Sequence, residues 1–234
     1  MKPLIVANWK MNPVTEKEAE NIFNGIRKGT KGTSAEVVVC PPFVYLPLLK
    51  GLKLGAQNVF YEEKGAFTGE ISDIMLKDLG VEYIIIGHSE RRKYFDETDE
   101  IINKKIKKAL EVGFKIIFCI GETAEEKNAG KRNEVLERQI KIGLLGIENL
   151  ENVSIAYEPV WAIGTGNNCG VGETKNSVDF IRGFVQPSTR ILYGGSVKSD
   201  NSGAYIKEAG ANGLLVGGAS LNEEEFVKIV KSAE

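Results

Sequence analysis

One histidine, His88, serves all 234 residues. Three cysteines, Cys40, Cys119 and Cys169, are odd in number, far apart and without a C-x-x-C pair. A lone imidazole and scattered thiols give no cluster with metal-ligand spacing, so no metal is expected. The thiols read as free cysteines of a reducing compartment, not as a disulfide framework. Charge excess is missing too: 30 basic residues against 32 acidic ones leave −2. That balance gives no reason to expect nucleic acid or an anionic membrane as partner. No apolar run approaches the ~20 residues of a membrane span. The start, MKPLIVANWK, has too short an apolar run and no small-residue cleavage site for a signal peptide, so a cytoplasmic location is expected. On that expectation the sequon at Asn152, Val153 and Ser154 carries no weight. There is no linker, low-complexity stretch or break in composition, which argues for one domain over residues 1–234.

What is present is a repeated alternation. Eight short runs rich in Val and Ile recur: LIVAN (4–8), VVVC (37–40), LGAQNV (54–59), YIIIGH (83–88), KIIFCI (115–120), SIAYEP (154–159), RILYGG (190–195) and GLLVGG (213–218). They are continuous rather than alternating, which is how strands read when both faces are buried in a parallel sheet. Helical patterns separate them. In VTEKEAENIFNGIRK, Ala19, Ile22, Phe23 and Ile26 share a face, and Thr15 with Glu18 makes a capping box. Thr123 and Glu126 form another, opening one long polar helix that runs on to Val135 and Leu136. A helix is expected over 98–112, ending at Gly113, and a last one from near Asn222. Eight strand–helix units at this length predict a single-domain α/β fold, the (β/α)8 barrel. A doubly wound open sheet is the alternative, but it carries a G-x-G-x-x-G after its first strand. Here Asn8-Trp9-Lys10 stands at that place, GTGNNCG (164–170) has the wrong spacing, and no Walker A pattern occurs.

In such a barrel, chemistry sits where strands end. Strand 1 delivers Asn8 and Lys10; strand 4 delivers His88, Ser89 and Glu90; strand 6 delivers Glu158 and Pro159. Strands 7 and 8 end in Gly194-Gly195-Ser196 and Gly217-Gly218. Taken singly, each has an ordinary explanation: a solvated lysine, a turn-capping asparagine, an exposed glutamate, a glycine turn. Independent loop residues have no reason to converge on one rim. Ser196 and the Gly217-Gly218 pair let backbone N–H groups approach an anion, which points to a small phosphorylated ligand. The stretch PVWAIGTG (Pro159, Val160, Trp161, Ala162, Ile163, Gly164, Thr165, Gly166) has the apolar tip and glycine flanks of a lid. A closing apolar lid is expected to raise the Glu158 pKa and make it a useful base. His88, facing the start of a short helix, is expected to stay neutral and to polarise a carbonyl, with Lys10 as the fixed cation. That set fits proton abstraction beside a carbonyl.

The motifs NWKMN (8–12), GAQNV (55–59), GAFTGEIS (65–72), IIGHSERR (85–92), CIGE (119–122), AYEPVWAIGTG (156–166), YGGSV (193–197) and LLVGGASL (214–221) run the length of the chain. With them the sequence resembles the triosephosphate isomerase family, which serves glycolysis and gluconeogenesis. The resemblance implies interconversion of dihydroxyacetone phosphate and glyceraldehyde 3-phosphate through an enediolate, without cofactor or metal. It assigns proton transfer to Glu158 and the neutral electrophile to His88. Asn8 and Lys10, with Glu90 close by, would hold the substrate and its developing oxyanion. Gly164, Ser196, Gly217 and Gly218 would grip the phosphate, and Ile163 and Leu215 would press on Glu158. It further implies a homodimer in which Thr68 reaches the partner's Asn8 and Glu90. Two features depart from the family pattern. Asn167-Asn168-Cys169-Gly170 replaces the usual Lys-Thr-Ala stretch at the far hinge of the lid, with Cys169 either an exposed thiol or a plain loop residue, and the second strand–helix unit is compact. Two other readings stay open. A Schiff-base barrel would need a central lysine, and strands 4 to 7 offer only Lys115, at a strand entrance. A binding protein without turnover would not need a general base.

Overall fold

The computed structural model describes residues 1–163 and 168–234. Gly164, Thr165, Gly166 and Asn167, expected in the lid and its far hinge, lie outside the described residues. Parallel strands close into a barrel in chain order: β1 Leu4–Asn8, β2 Glu36–Cys40, β3 Lys53–Ala56, β4 Val81–Ile86, β5 Lys115–Ile120, β6 Val153–Tyr157, β7 Arg190–Tyr193 and β8 Gly213–Val216. Leu4 lies opposite Glu36 on one side and Gly213 on the other, so β1 closes the ring between β2 and β8.

Why the strands read as unbroken apolar runs is visible in the packing. One buried cluster consists of strand residues alone, among them Leu4, Val6, Val38, Ile85, Ile117 and Leu215. The other joins the alternate strand positions, such as Ile5, Val37, Ile84 and Ile116, to helix residues such as Phe23, Ile102 and Phe226. Side chains alternate along a strand, so the first cluster fills the lumen and the second sits between barrel and helices. Each fully buried aliphatic side chain contributes about 1.5–3 kcal/mol. A polar substitution on either face would therefore be destabilising.

The helices are α1 Glu16–Gly29, α2 Asp73–Asp78, α3 Ser89–Tyr94, α4 Asp99–Glu111, α5 Ala124–Asn128, α6 Arg132–Gly143, α7 Val171–Arg182, α8 Ser202–Lys207 and α9 Glu223–Ser232. Thr15 caps α1 by accepting the Glu18 N–H, and Ala19, Phe23 and Ile26 face inward as their spacing predicts. The reciprocal half of that capping box is replaced by a bond from the Thr15 hydroxyl to the Glu18 carboxylate. Thr123 and Glu126 make the full box. The single long helix expected after them is two helices. Gly130, in the left-handed region at φ 72°, breaks the chain between α5 and α6. Strand ends are also earlier than the apolar runs: β4 stops at Ile86 because Gly87 turns out of the sheet at φ 77°. β3 stops at Ala56, which frees Gln57 and Asn58 from the ladder. Between β2 and β3 only a short 3-10 turn, Phe43–Tyr45, appears, in line with a compact second unit. No helix among the described residues is long and apolar enough to cross a membrane.

Candidate active site

Asn8, Lys10, His88, Glu158, Gly194, Ser196, Gly217 and Gly218, all at or just past strand ends, line one cavity of about 480 Å³. Ile163 and Leu215 line it as well.

Glu158 follows β6 directly and is 2% exposed. Its backbone N–H donates to Ile120 of β5, which places the carboxylate at the centre of the rim. Gly121 has to be glycine there, since a Cβ would lie 1.7 Å from the Glu158 carbonyl oxygen. Oε2 accepts the Ser89 N–H at 3.0 Å, and Oε1 lies 3.0 Å from His88 Nε2. Burial pushes the Glu158 carboxyl up, but His88, the Ser89 amide and Lys10 outweigh burial and hold it below the usual carboxylate range. In this arrangement the value is lowered, not raised as expected under a closed lid: two donors satisfy the carboxylate, which keeps it ionised and a weaker base until those contacts are exchanged. The Cys119 thiol of β5 stays protonated, pushed well up by burial and by Glu158.

His88 is the N-cap of α3, as expected from the charged run behind it. Its Nδ1 accepts the Glu90 N–H at 3.2 Å. A nitrogen that accepts carries no proton, which leaves the ring proton on Nε2, aimed at Glu158. The imidazole is therefore neutral in this arrangement. The one histidine of the chain is thus held in one tautomer by a helix start.

Lys10 lies in the left-handed region at φ 55°, where a residue with a Cβ is strained by about 1–3 kcal/mol. Two side chains hold it there. Asn8 Oδ1 accepts the Lys10 N–H at 3.1 Å. Gln57 Nε2 donates to the Lys10 carbonyl at 2.9 Å and to the Cys40 carbonyl at 2.9 Å. The ammonium crosses the mouth of the barrel: a Cβ on Gly217 would meet Lys10 Cε at 3.4 Å. It ends on Glu90 Oε1 at 2.5 Å. Glu90 does not line the cavity; it stands behind Lys10, with its other oxygen 3.6 Å from His88 Nδ1.

On the opposite wall, Gly217 leads into a 3-10 turn, Gly218–Leu221, and nothing lies within 4 Å of where a Gly218 Cβ would be. The backbone there is open to a ligand. Ser196 donates its hydroxyl to the Ala162 carbonyl at 2.6 Å, tying the loop after β7 to the Val160–Ala162 turn that follows the base. Pro159 and Ala162 are buried, while Val160, Trp161 and Ile163 are half-buried. The expected phosphate contact at Gly164 and the lid residues Thr165 and Gly166 lie outside the described residues. Cys169 is no exposed thiol: it is fully buried, its carbonyl accepts the Tyr205 hydroxyl at 2.8 Å, and burial pushes its thiol up to about 11. Among the described residues no three His, Cys, Asp or Glu side chains gather as a metal site would need.

Sequence reasoning passed over Gln57, the Ser89 amide and Glu122. Gln57 sits inside GAQNV and Glu122 closes CIGE, so strand-end position was the available signal. Glu122 is fully buried and accepts the Trp161 indole N–H at 2.9 Å and the Tyr157 hydroxyl at 3.2 Å.

Comparison with known proteins shows the family. The family model described as triosephosphate isomerase matches residues 3–233. The triosephosphate isomerase of Aquifex aeolicus is 48% identical, over 99% of this chain and 100% of its own length. Those of Dictyoglomus thermophilum and Alkaliphilus oremlandii are 49% and 47% identical, over 99% and 98% of both chains.

Proposed function

The chain belongs to the triosephosphate isomerase family, an enzyme of glycolysis that interconverts triose phosphates, and from that premise we propose how its residues divide the work. Glu158 is the base. Its carboxylate leaves the Ser89 amide, takes a proton from one carbon of the substrate and returns it to the neighbouring carbon. His88 donates from Nε2 to the substrate oxygens. As a neutral ring it matches the proton affinity of an enediolate better than imidazolium would; this pairing of neutral histidine and glutamate is the general treatment of the family in terms of pKa tuning. Lys10 supplies a fixed positive charge for the developing oxyanion, and Asn8 holds both the substrate and the strained Lys10 backbone. Glu90 acts through Lys10, keeping its ammonium at the mouth until substrate arrives. Backbone N–H groups at Ser196, Gly217 and Gly218, with Gly164, take the phosphate. Pro159 to Gly166 close over the site, where Ile163 and Leu215 keep water from the enediolate.

The observation that carries this reading is the contact of an ionised, buried Glu158 with the Nε2 of a His88 locked in one tautomer, at the wall of a cavity whose far side is bare glycine backbone. Turnover of glyceraldehyde 3-phosphate, followed through a coupled dehydrogenase, tests it. Glu158→Gln is expected to lose about 10²–10⁴-fold in kcat. An unchanged rate would remove Glu158 from the mechanism.

A homodimer completes the proposal. Met11, Val14, Val44, Phe67, Met75 and Phe95 are exposed apolar side chains on the segments that follow β1 to β4, one side of the same rim. Thr68 stands at the tip of an excursion closed by the Phe60 N–H on the Ile71 carbonyl at 2.9 Å. A second copy would cover those apolar residues and bring Thr68 to the partner's Asn8 and Glu90. Sedimentation of Phe67→Arg is expected to show a monomer of reduced kcat; a fully active monomer would refute the crossing loop.

A further inference from the structure

Behind the chain that leaves the base lies a cluster of four charges that the isomerase chemistry does not use. Glu122, two residues past the end of β5, is fully buried, and its Oε2 has no hydrogen-bond partner among the described residues. Its Oε1 receives Trp161 and Tyr157, and its backbone carbonyl accepts the Val160 N–H at 3.1 Å. Glu122 thus pins Val160 and Trp161 from two directions, two and three residues after Glu158. Neutral donors alone do not offset the desolvation of a buried carboxylate; that needs a cation. The cation is Arg132, in the first turn of α6, with Nε 3.3 Å from Glu122 Oε1. Its other arm reaches Glu173, in the first turn of α7. Lys127 of α5 bonds the same Glu173 at 3.2 Å and lies 3.2 Å from the centre of the Trp161 ring. None of Arg132, Glu173 and Lys127 lines the substrate cavity.

We propose that Arg132 is a positioning residue for the base: as the counter-ion of Glu122 it holds the Val160–Trp161 turn in place and, through that turn, the backbone from which the Glu158 carboxylate projects. The inference rests on Glu158 being the base. The connection is short. Glu158 is anchored on β5 by the Ile120 carbonyl, and the chain two residues later is anchored again by Glu122, in the loop that follows β5. With Arg132 gone, the second anchor is an uncompensated buried carboxylate, which water entering beneath Trp161 would relieve, and that loosens the peptide that aims the base. Gly217 and Gly218, which carry much of the phosphate grip, belong to another loop and are left alone.

The test is steady-state kinetics on the purified full chain, comparing wild type, Arg132→Met, Glu122→Gln and the double variant. A misplaced base costs rate steeply, so Arg132→Met is expected to lose about tenfold or more in kcat. KM and competitive inhibition by inorganic phosphate should stay within about twofold, since ground-state binding is untouched. The decisive arm is rescue. A glutamine at 122 still accepts from Trp161 and Tyr157 but needs no counter-ion. Arg132→Met with Glu122→Gln should therefore return to within about threefold of Glu122→Gln alone, a coupling only partners show. If Arg132→Met does not fold, the double variant alone decides: it should fold and turn over like Glu122→Gln. Unchanged kcat in Arg132→Met overturns the proposal, and so does an equal loss with and without Glu122→Gln. No turnover in wild type would instead overturn the functional reading on which it rests.

Discussion

Gln57 offers the sharpest check on the geometry around Lys10. Its amide donates one hydrogen to the Lys10 carbonyl and the other to the Cys40 carbonyl. Gln57→Met keeps the length of the side chain and removes both donors. Two neutral hydrogen bonds contribute about 1 kcal/mol each, and the conformation they support carries about 1–3 kcal/mol of strain. The terms are of similar size, so without the amide the peptide at Lys10 is free to relax to negative φ. The ammonium would then leave its place over Gly217. A loss of about 10–100-fold in kcat/KM is expected, equivalent to about 1.4–2.7 kcal/mol of transition-state stabilisation. The assay is isomerisation through a coupled dehydrogenase, run in wild type and in a Lys10→Met background. If Gln57 acts through Lys10, Gln57→Met costs nothing further once the ammonium is absent. Equal losses in both backgrounds would refute the reasoning, as would a fully active single variant.

Three further expectations follow from contacts already described. Gly194→Ala adds a Cβ 3.0 Å from Glu158 Cγ, and displacing the base by part of an ångström should cost about 10–100-fold in kcat; a normal rate would mean that the base is not confined there. His88→Gln should lose kcat strongly with little change in phosphate inhibition, and near-normal turnover would make His88 a structural cap and nothing more. At the other end of the barrel, burial pushes Glu36 up, but Lys53, the Tyr83 hydroxyl and Arg190 bring it down to about 2 from 4.5. A lowered carboxyl stabilises the fold at pH above its unfolded value and stops doing so as pH falls towards 2. The unscreened size is about 3 kcal/mol, cut to about 1–2 by water at the open end. Urea unfolding of Glu36→Gln should accordingly converge with wild type near pH 2 and fall below it near neutrality.

Much of the barrel could be read directly because its strands are buried on both faces. LIVAN and KIIFCI have no reason to be so uniformly apolar otherwise. Glu158, His88 and Lys10 were legible for the opposite reason: each is a polar residue placed where such a run stops. The same logic could not separate Gln57 from Asn58. Both follow β3 as ordinary amides, and what distinguishes Gln57 is a carbonyl on Lys10, 47 residues earlier in the chain. The break between α5 and α6 was signalled by Gly130 but hidden by a polar pattern that continues on both sides. Cys169 looked like part of a hinge because its neighbours are Asn and Gly; its burial depends on Tyr205, which no local pattern announces.

The Glu158 carboxyl shows why such errors take a consistent form. Reasoning from composition treats a buried carboxylate as isolated, and an isolated one must rise in pKa. In the fold it is not isolated, because the residue that follows the only histidine turns its amide toward it and the histidine turns its one proton the same way. Glu158 should therefore contribute no acid limb to the kcat/KM profile between pH 5 and 7, since the free base lies below the usual carboxylate range. Substrate must break both contacts for catalysis, and only then is Glu158 free to take the proton from carbon. An acid limb near pH 6 that belongs to the enzyme, separated from the titration of the substrate phosphate by repeating the profile with Ser89→Pro, would show that the two donors do not hold the carboxylate in solution. Ser89→Pro removes that one amide donor from the first turn of α3, where proline is tolerated. It should move any such limb upward, and an unmoved profile would detach the Ser89 amide from the base.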